Sequence, residues 1–269
     1  MRDIFYTFFS TTKVEYTIEV FSVWHFLYII LILCGTIGAA IALIGKTREQ
    51  KDRILRRLAF LIPVCYILDF FIMPLASSDF SIDVDKLPFH ICTLLGILIP
   101  FVQFHHKLEK YKDVIVCLAV VASLMYITYP GSAIGDILPW SYKVVQTFLY
   151  HGLLFAWGVL SLTTGSVVLS HKKLWKELVF LIGMTLWASL GNTLYSHEEH
   201  VFDWFFVNGV TFPFVPKTLM PFAVIAAVFA MCAIVCAIYE SAAKHIKNSG
   251  CTPKYAESKN RKTSKSLVK

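Results

Sequence analysis

The sequence predicts an all-α polytopic membrane protein, a seven-transmembrane-helix bundle with its N-terminus outside and its C-terminus in the cytosol. Three observations carry this. The 269 residues are 57% hydrophobic and 15% aromatic, with mean hydropathy +0.63, too apolar for an ordinary soluble domain of that length. The apolar residues gather into seven stretches of roughly the length that crosses ~30 Å of hydrocarbon. Twenty of the 25 Lys and Arg fall in one alternate set of connections together with the C-terminal tail. The other set holds only Arg2, Lys13, Lys86, Lys143 and Lys217. Because cytosolic loops retain Lys and Arg, that bias orients the bundle.

Residues 1–20 are mixed and aromatic and lack the basic-then-apolar order of a cleavable signal, so they read as a short extracytoplasmic segment. The membrane domain runs over 21–240. Its first span is 21–44, followed by a basic stretch over 46–57. The second span, 58–76, contains Pro63 and Asp69, and an acidic loop follows over 77–86. The third span, 87–104, opens on Pro88, whose missing amide proton and fixed φ suit a helix's first turn, so the helix is expected to start there. It ends at His105 and His106. The fourth span, 114–129, stops at Pro130-Gly131, and the fifth, 143–170, is long enough to tilt. The sixth is 178–195 and the last 218–239. Residues 241–269 form a basic cytosolic tail expected to be disordered.

Charge and cysteine usage narrow the partners. Through Glu240 the chain carries 17 basic and 17 acidic residues, so the tail, with eight basic residues and one acid, supplies the whole net charge of +7. A basic tail beside a membrane helix meets anionic lipid headgroups, and it is not read as a nucleic-acid site. The seven cysteines form no disulfide framework. Six lie in apolar segments, Cys251 lies in the tail, and there is no CxxC. Oligomeric state is not legible.

At ~1.5 Å of rise per residue, the polar residues inside the spans can be placed by depth. His25 lies about a turn below the outer end of span one, and Asp69 roughly two turns below that of span two. His90 and Cys92 open span three, His151 lies about 12 Å into span five, and Asn192 is near the outer end of span six. Ionisable groups in lipid are costly and normally face the bundle interior. Five helices bringing them to similar depth therefore mark a candidate site in the outer half. Each member also has a plainer reading. His25 suits an aromatic belt, Asp69 suits a local hydrogen bond, and Cys92 suits a small buried hydrophobe. His90 and Cys92 would sit about 200° apart on one helix and could not share a face. Cys92 gains weight from its place near a helix N-terminus, where the dipole favours thiolate, and from Gly96 one turn on, which leaves space. His197-Glu198-Glu199-His200 lacks the spacing of a zinc-binding HExxH and reads as a solvated loop.

With Phe21 and His25 opening span one, Leu87-Pro88-Phe89-His90-Ile91-Cys92 opening span three, His151-Gly152 in span five and Asn192 late in span six, the chain resembles the YwaF-like bacterial integral membrane family. That family is related to eukaryotic multispanning phospholipid acyltransferases. The likeness runs nearly the whole chain, though only the Leu-Pro-x-His-x-Cys stretch is specific. Thr93 stands where bacterial members often carry an acidic residue, and a Gly-Thr-Asn-Tyr run after Asn192 is missing. The resemblance implies a bacterial cytoplasmic membrane location, a phospholipid or lysophospholipid substrate, and Cys92 carrying an acyl group with a histidine, taken as His151, assisting. His25, Asp69, His90 and Asn192 would support them, with no metal and no cofactor. In that scheme Asn192 or backbone amides stabilise the oxyanion and Asp69 or His25 orients the base.

Two other classes stay open on the residues alone. One is a metal-dependent membrane hydrolase with His25, His151, Asp69 and His90 as ligands. The other is a non-catalytic carrier or binding protein for a lipidic or small solute, its polar cluster lining a cavity.

Overall fold

The computed structural model describes residues 8–9, 18–76, 84–131, 138–197, 200–207 and 214–248. Among the described residues, seven α-helices form the body: α1 Val23–Ala42, α2 Arg48–Ala76, α3 Ile91–Phe104, α4 Lys112–Thr128, α5 Tyr142–Thr163, α6 Trp175–Tyr195 and α7 Met220–Asn248. Among the described residues there is no strand; His197 and His200 form an isolated antiparallel bridge. Among the described residues, five helical stretches are long and apolar enough to cross a membrane, at Val23–Ala42, Glu109–Thr128, Tyr142–Thr163, Trp175–Tyr195 and Lys217–Ile246. α3 is apolar but shorter, with 14 residues. α2 has 29 residues, but its first three turns are charged.

The boundaries differ from the sequence reading where local chemistry intervenes. The basic stretch over 46–57, expected as a loop, is helical from Arg48. Its charges pair along one face, Glu49 with Arg53 and Asp52 with Arg56, each at i,i+4 spacing. α3 begins at Ile91, not Pro88, because Pro88 and Phe89 turn and His90 is the extended N-cap. α5 ends at Thr163, well short of residue 170, because Gly165 takes a φ of 72° just past the cap, a conformation that stops a helix. The last helix continues to Asn248, so 241–248 of the expected disordered tail is helical; residues 249–269 lie outside the described residues, as do Glu198, Glu199 and 77–83 of the acidic loop.

α4 and α5 form the centre and share the broadest contact. It is close because Gly158 of α5 lies against Val120 of α4, where a Cβ would collide. α5 also packs on α1 and α2, and α4 on α3, α6 and α7. Long buried side chains fill this core, among them Leu118, Leu154, Trp157, Leu160 and Leu181. α1, by contrast, leaves most of its apolar surface uncovered, as a helix facing hydrocarbon would.

The helices alternate in direction, which gives the bundle two chemically distinct ends. At the lysine-rich end Lys173 and Lys176 pair with Asp113, and Glu240 accepts from the backbone and ring of His171. From the exposed Arg56–Asp52 pair at the same end, hydrogen bonds run inward. Arg56 bonds Asp52, Gln103 donates to Asp52, Trp157 donates to Gln103, and the buried Lys112 donates to Ser166. At the other end the contacts are mainly aromatic. Tyr28 stacks on Phe148 and donates to the Pro139 carbonyl, Trp24 meets Trp140, and Trp187 donates to the Pro88 carbonyl. All six polar residues singled out from the sequence lie at this aromatic end.

Candidate functional site

The chain entering α3 is held from two sides, and this fixes Cys92. On the α2 side, the Tyr66 hydroxyl donates to the Lys86 carbonyl and the Lys86 ammonium pairs with Asp69. On the α6 side, Phe89 is buried against Trp187, Tyr195 and Trp204, over Gly191, where any Cβ would strike the ring. Thr93 closes the turn, donating to the His90 carbonyl at 2.8 Å. A carboxylate at this position would complement the helix dipole; the hydroxyl braces the turn by a hydrogen bond. Cys92 is thus the second helical residue of α3 and is half-buried.

His90 lies outside the helix, so the helical 200° separation from Cys92 does not apply. Its backbone is extended (φ −80°, ψ 147°), and its side chain makes no capping bond. The ring faces Phe206, 6.2 Å between centroids.

His151 is buried on α5, and its ring is fixed twice. Nδ1 lies 2.8 Å from the Thr147 carbonyl one turn back, and Tyr126 of α4 stacks face to face at 3.6 Å and 8°. A carbonyl can only accept, so Nδ1 carries the proton and the neutral ring presents a lone pair at Nε2. That is the tautomer a general base needs. The preceding residue, Tyr150, donates its hydroxyl to the Cys92 carbonyl at 2.8 Å, so one turn of α5 touches the thiol-bearing turn of α3 and carries the histidine.

The remaining three have other employment. His25 is fully buried. Its Nδ1 accepts from the Phe21 amide at 2.9 Å, so Nε2 is the protonated nitrogen and donates to the Ile127 carbonyl at 2.8 Å. Both ring nitrogens are spent on backbone, and His25 locks the start of α1 to the end of α4. It does not orient His151. Asp69 is taken by Lys86 and does not reach the base either. Asn192 exchanges two hydrogen bonds with the Trp204 backbone, donating to its carbonyl and accepting from its amide at 2.8 Å. That holds the Trp204–Phe206 turn, in which Phe205 and Phe206 both adopt positive φ, 60° and 56°. These bonds engage Oδ1 and one of the two Nδ2 hydrogens, so Asn192 serves this turn as a brace.

The structure therefore ties Cys92 to Tyr150, whose neighbour in the chain is His151, turns His90 towards Phe206, and uses His25, Asp69 and Asn192 as braces. Among the described residues no three His, Cys, Asp or Glu side chains are set to share a metal ion. Sequence reasoning missed Lys86, Tyr66, Tyr126, Thr147 and Tyr150. Only Thr147 carried a local signal, since a carbonyl four residues before a helical histidine lies within reach of its Nδ1. The tyrosines act across helices.

Residues 20–239 match the TMEM164 family, whose members are multispanning membrane proteins. The chain belongs to the TMEM164 family. The match takes in all seven helices except the last turns of α7, and every candidate residue lies within it. Membership establishes a membrane protein with several apolar helices; the YwaF-like name and a bacterial source receive no support from it. No curated protein and no solved structure matches the chain.

Proposed function

We propose that this TMEM164-family chain is a membrane-embedded acyltransferase that moves a phospholipid acyl group through a thioester on Cys92, with His151 as base. The observation carrying the reading is the link between the two turns: the Tyr150 hydroxyl ties the backbone of Cys92 to the turn of α5 whose next residue, His151, offers a free Nε2 lone pair. His151 takes the proton from the Cys92 thiol, and the thiolate adds to the ester carbonyl. Collapse of the tetrahedral adduct breaks the bond to the glycerol oxygen, which leaves with the proton from His151. The hydroxyl of a lysophospholipid then loses its proton to His151 and attacks the thioester, and the thiolate leaves and is reprotonated. Unused amides in the first turn of α3 supply hydrogen bonds to the oxyanion.

In the same reading all seven helices span the bilayer, α2 through its apolar part from Leu58 onward, with the aromatic end outside. The lysine-rich end and the basic tail then lie at the cytosolic leaflet, as the distribution of Lys and Arg favours. The site opens at the outer headgroup level, where a phospholipid ester sits.

The test is acyl exchange between a phospholipid and a lysophospholipid by detergent-purified protein. Cys92→Ala and His151→Gln are each expected to abolish exchange while eluting as folded protein. Full exchange by Cys92→Ala overturns the assignment.

A further inference from the structure

We propose that Tyr150 is a positioning residue that sets the height of Cys92 against His151, an inference that rests on the acyl-transfer reading. Tyr150 and His151 are consecutive on α5, so their side chains diverge by about 100°. His151 turns towards α4 and stacks on Tyr126, and Tyr150 turns towards α2 and α3, its ring 5.9 Å from that of Tyr66. α5 packs broadly on α2 and α4, and from it the Tyr150 side chain reaches the first turn of α3.

Two independent features show that the contact is built in. The Cys92 carbonyl lies inside a helix, where its ordinary donor is the amide of residue 96, so the Tyr150 hydroxyl is not rescuing an orphaned acceptor. It is an added bond whose consequence is location. The space it occupies exists only because residue 96 is glycine: a Cβ there would overlap the Tyr150 hydroxyl. Gly96 and Tyr150 therefore act as a pair, one clearing the approach and the other filling it. The thiol follows the backbone atom that Tyr150 holds, and the imidazole follows the residue after Tyr150. Relative placement of nucleophile and base is the quantity on which such catalysis depends most steeply.

The test is the rate at which iodoacetamide alkylates Cys92 in the full-length purified protein at pH 7.5, read peptide by peptide by mass spectrometry. Tyr150→Phe keeps the ring and removes the bond. It is expected to slow Cys92 alkylation roughly tenfold, the equivalent of one hydrogen bond's worth of positioning. His151→Gln should slow it similarly. The Tyr150→Phe/His151→Gln double variant should be no slower than either single, because in the acyl-transfer reading both act on the same step, proton removal from the Cys92 thiol by His151. In the exchange assay Tyr150→Phe should lower kcat with KM unchanged. Gly96→Ala should also slow alkylation, and adding Tyr150→Phe to it should cost nothing more. If Gly96→Ala does not fold, the Tyr150 and His151 cycle decides alone. Wild-type alkylation in Tyr150→Phe, or effects that multiply in the double variant, overturns the proposal. Alkylation needs no lipid substrate, so this outcome is independent of whether Cys92→Ala abolishes exchange.

Discussion

Breaking the Asp69–Lys86 pair should be worse than deleting it. The side chains are 8% and 17% exposed, which puts the pair with buried ion pairs and not with surface ones, whose contribution is near zero. Lys86→Met leaves a carboxylate buried on α2 without its cation, and removing one partner of a buried pair costs about 3–5 kcal/mol. Because Lys86 retains some solvent contact, the lower figure applies. The Tyr66 hydroxyl bonds the Lys86 backbone, so the turn keeps one of its two tethers in the variant. At 2–4 °C per kcal/mol, about 3 kcal/mol lowers the melting temperature by roughly 6–12 °C. The Asp69→Leu/Lys86→Met double variant leaves no unpaired charge and should recover more than half of that loss. Melting is followed as the surviving monodisperse peak after heating in detergent. A Lys86→Met protein that melts with wild type, or a double variant as unstable as the two singles summed, refutes the reasoning.

Two further substitutions separate bracing from chemistry. Asn192→Ala strips the Trp204 amide and carbonyl of their partners and releases a turn with two positive-φ phenylalanines. It should cost about 2–3 kcal/mol and admit protease between residues 196 and 214; unchanged cleavage there contradicts the assignment. His25→Ala leaves the Phe21 amide and Ile127 carbonyl unpaired and should lower stability by about 2–4 kcal/mol, while acyl exchange per folded molecule stays near wild type. Loss of exchange in a fully folded His25→Ala protein would return His25 to the catalytic group.

The helical class was legible because apolar stretches in this chain are long and their breaks are charged, and periodicity survives whatever the helices pack against. The ends were less legible. Gly165 stopping α5 was visible as a residue, but that its backbone takes a positive φ there depends on how the segment beyond it folds back to α6. The Arg48–Arg57 stretch does not read as a helix because charge dominates its composition, and its i,i+4 ion pairs and the buried Leu55 show only once it is folded. At the site, depth along each helix was readable from the count of residues, and it brought His25, Asp69, Cys92, His151 and Asn192 to one end. Rotation about each helix was not. His25 and Asn192 share that depth but turn to backbone partners, and Lys86, outside the spans, proves to be the partner of Asp69. Tyr126 and Tyr150 are unremarkable as letters, since their roles arise from α3 and α4 lying beside α5.

The most direct measurement of the central claim is the intact mass of the purified protein after incubation with phospholipid in the absence of acceptor, before and after neutral hydroxylamine. An acyl-sized adduct that hydroxylamine removes, that His151→Gln reduces and that Cys92→Ala never shows is the expected result. An adduct of the same size persisting in Cys92→Ala, or acyl exchange proceeding at the wild-type rate in that variant, would contradict a thioester at Cys92.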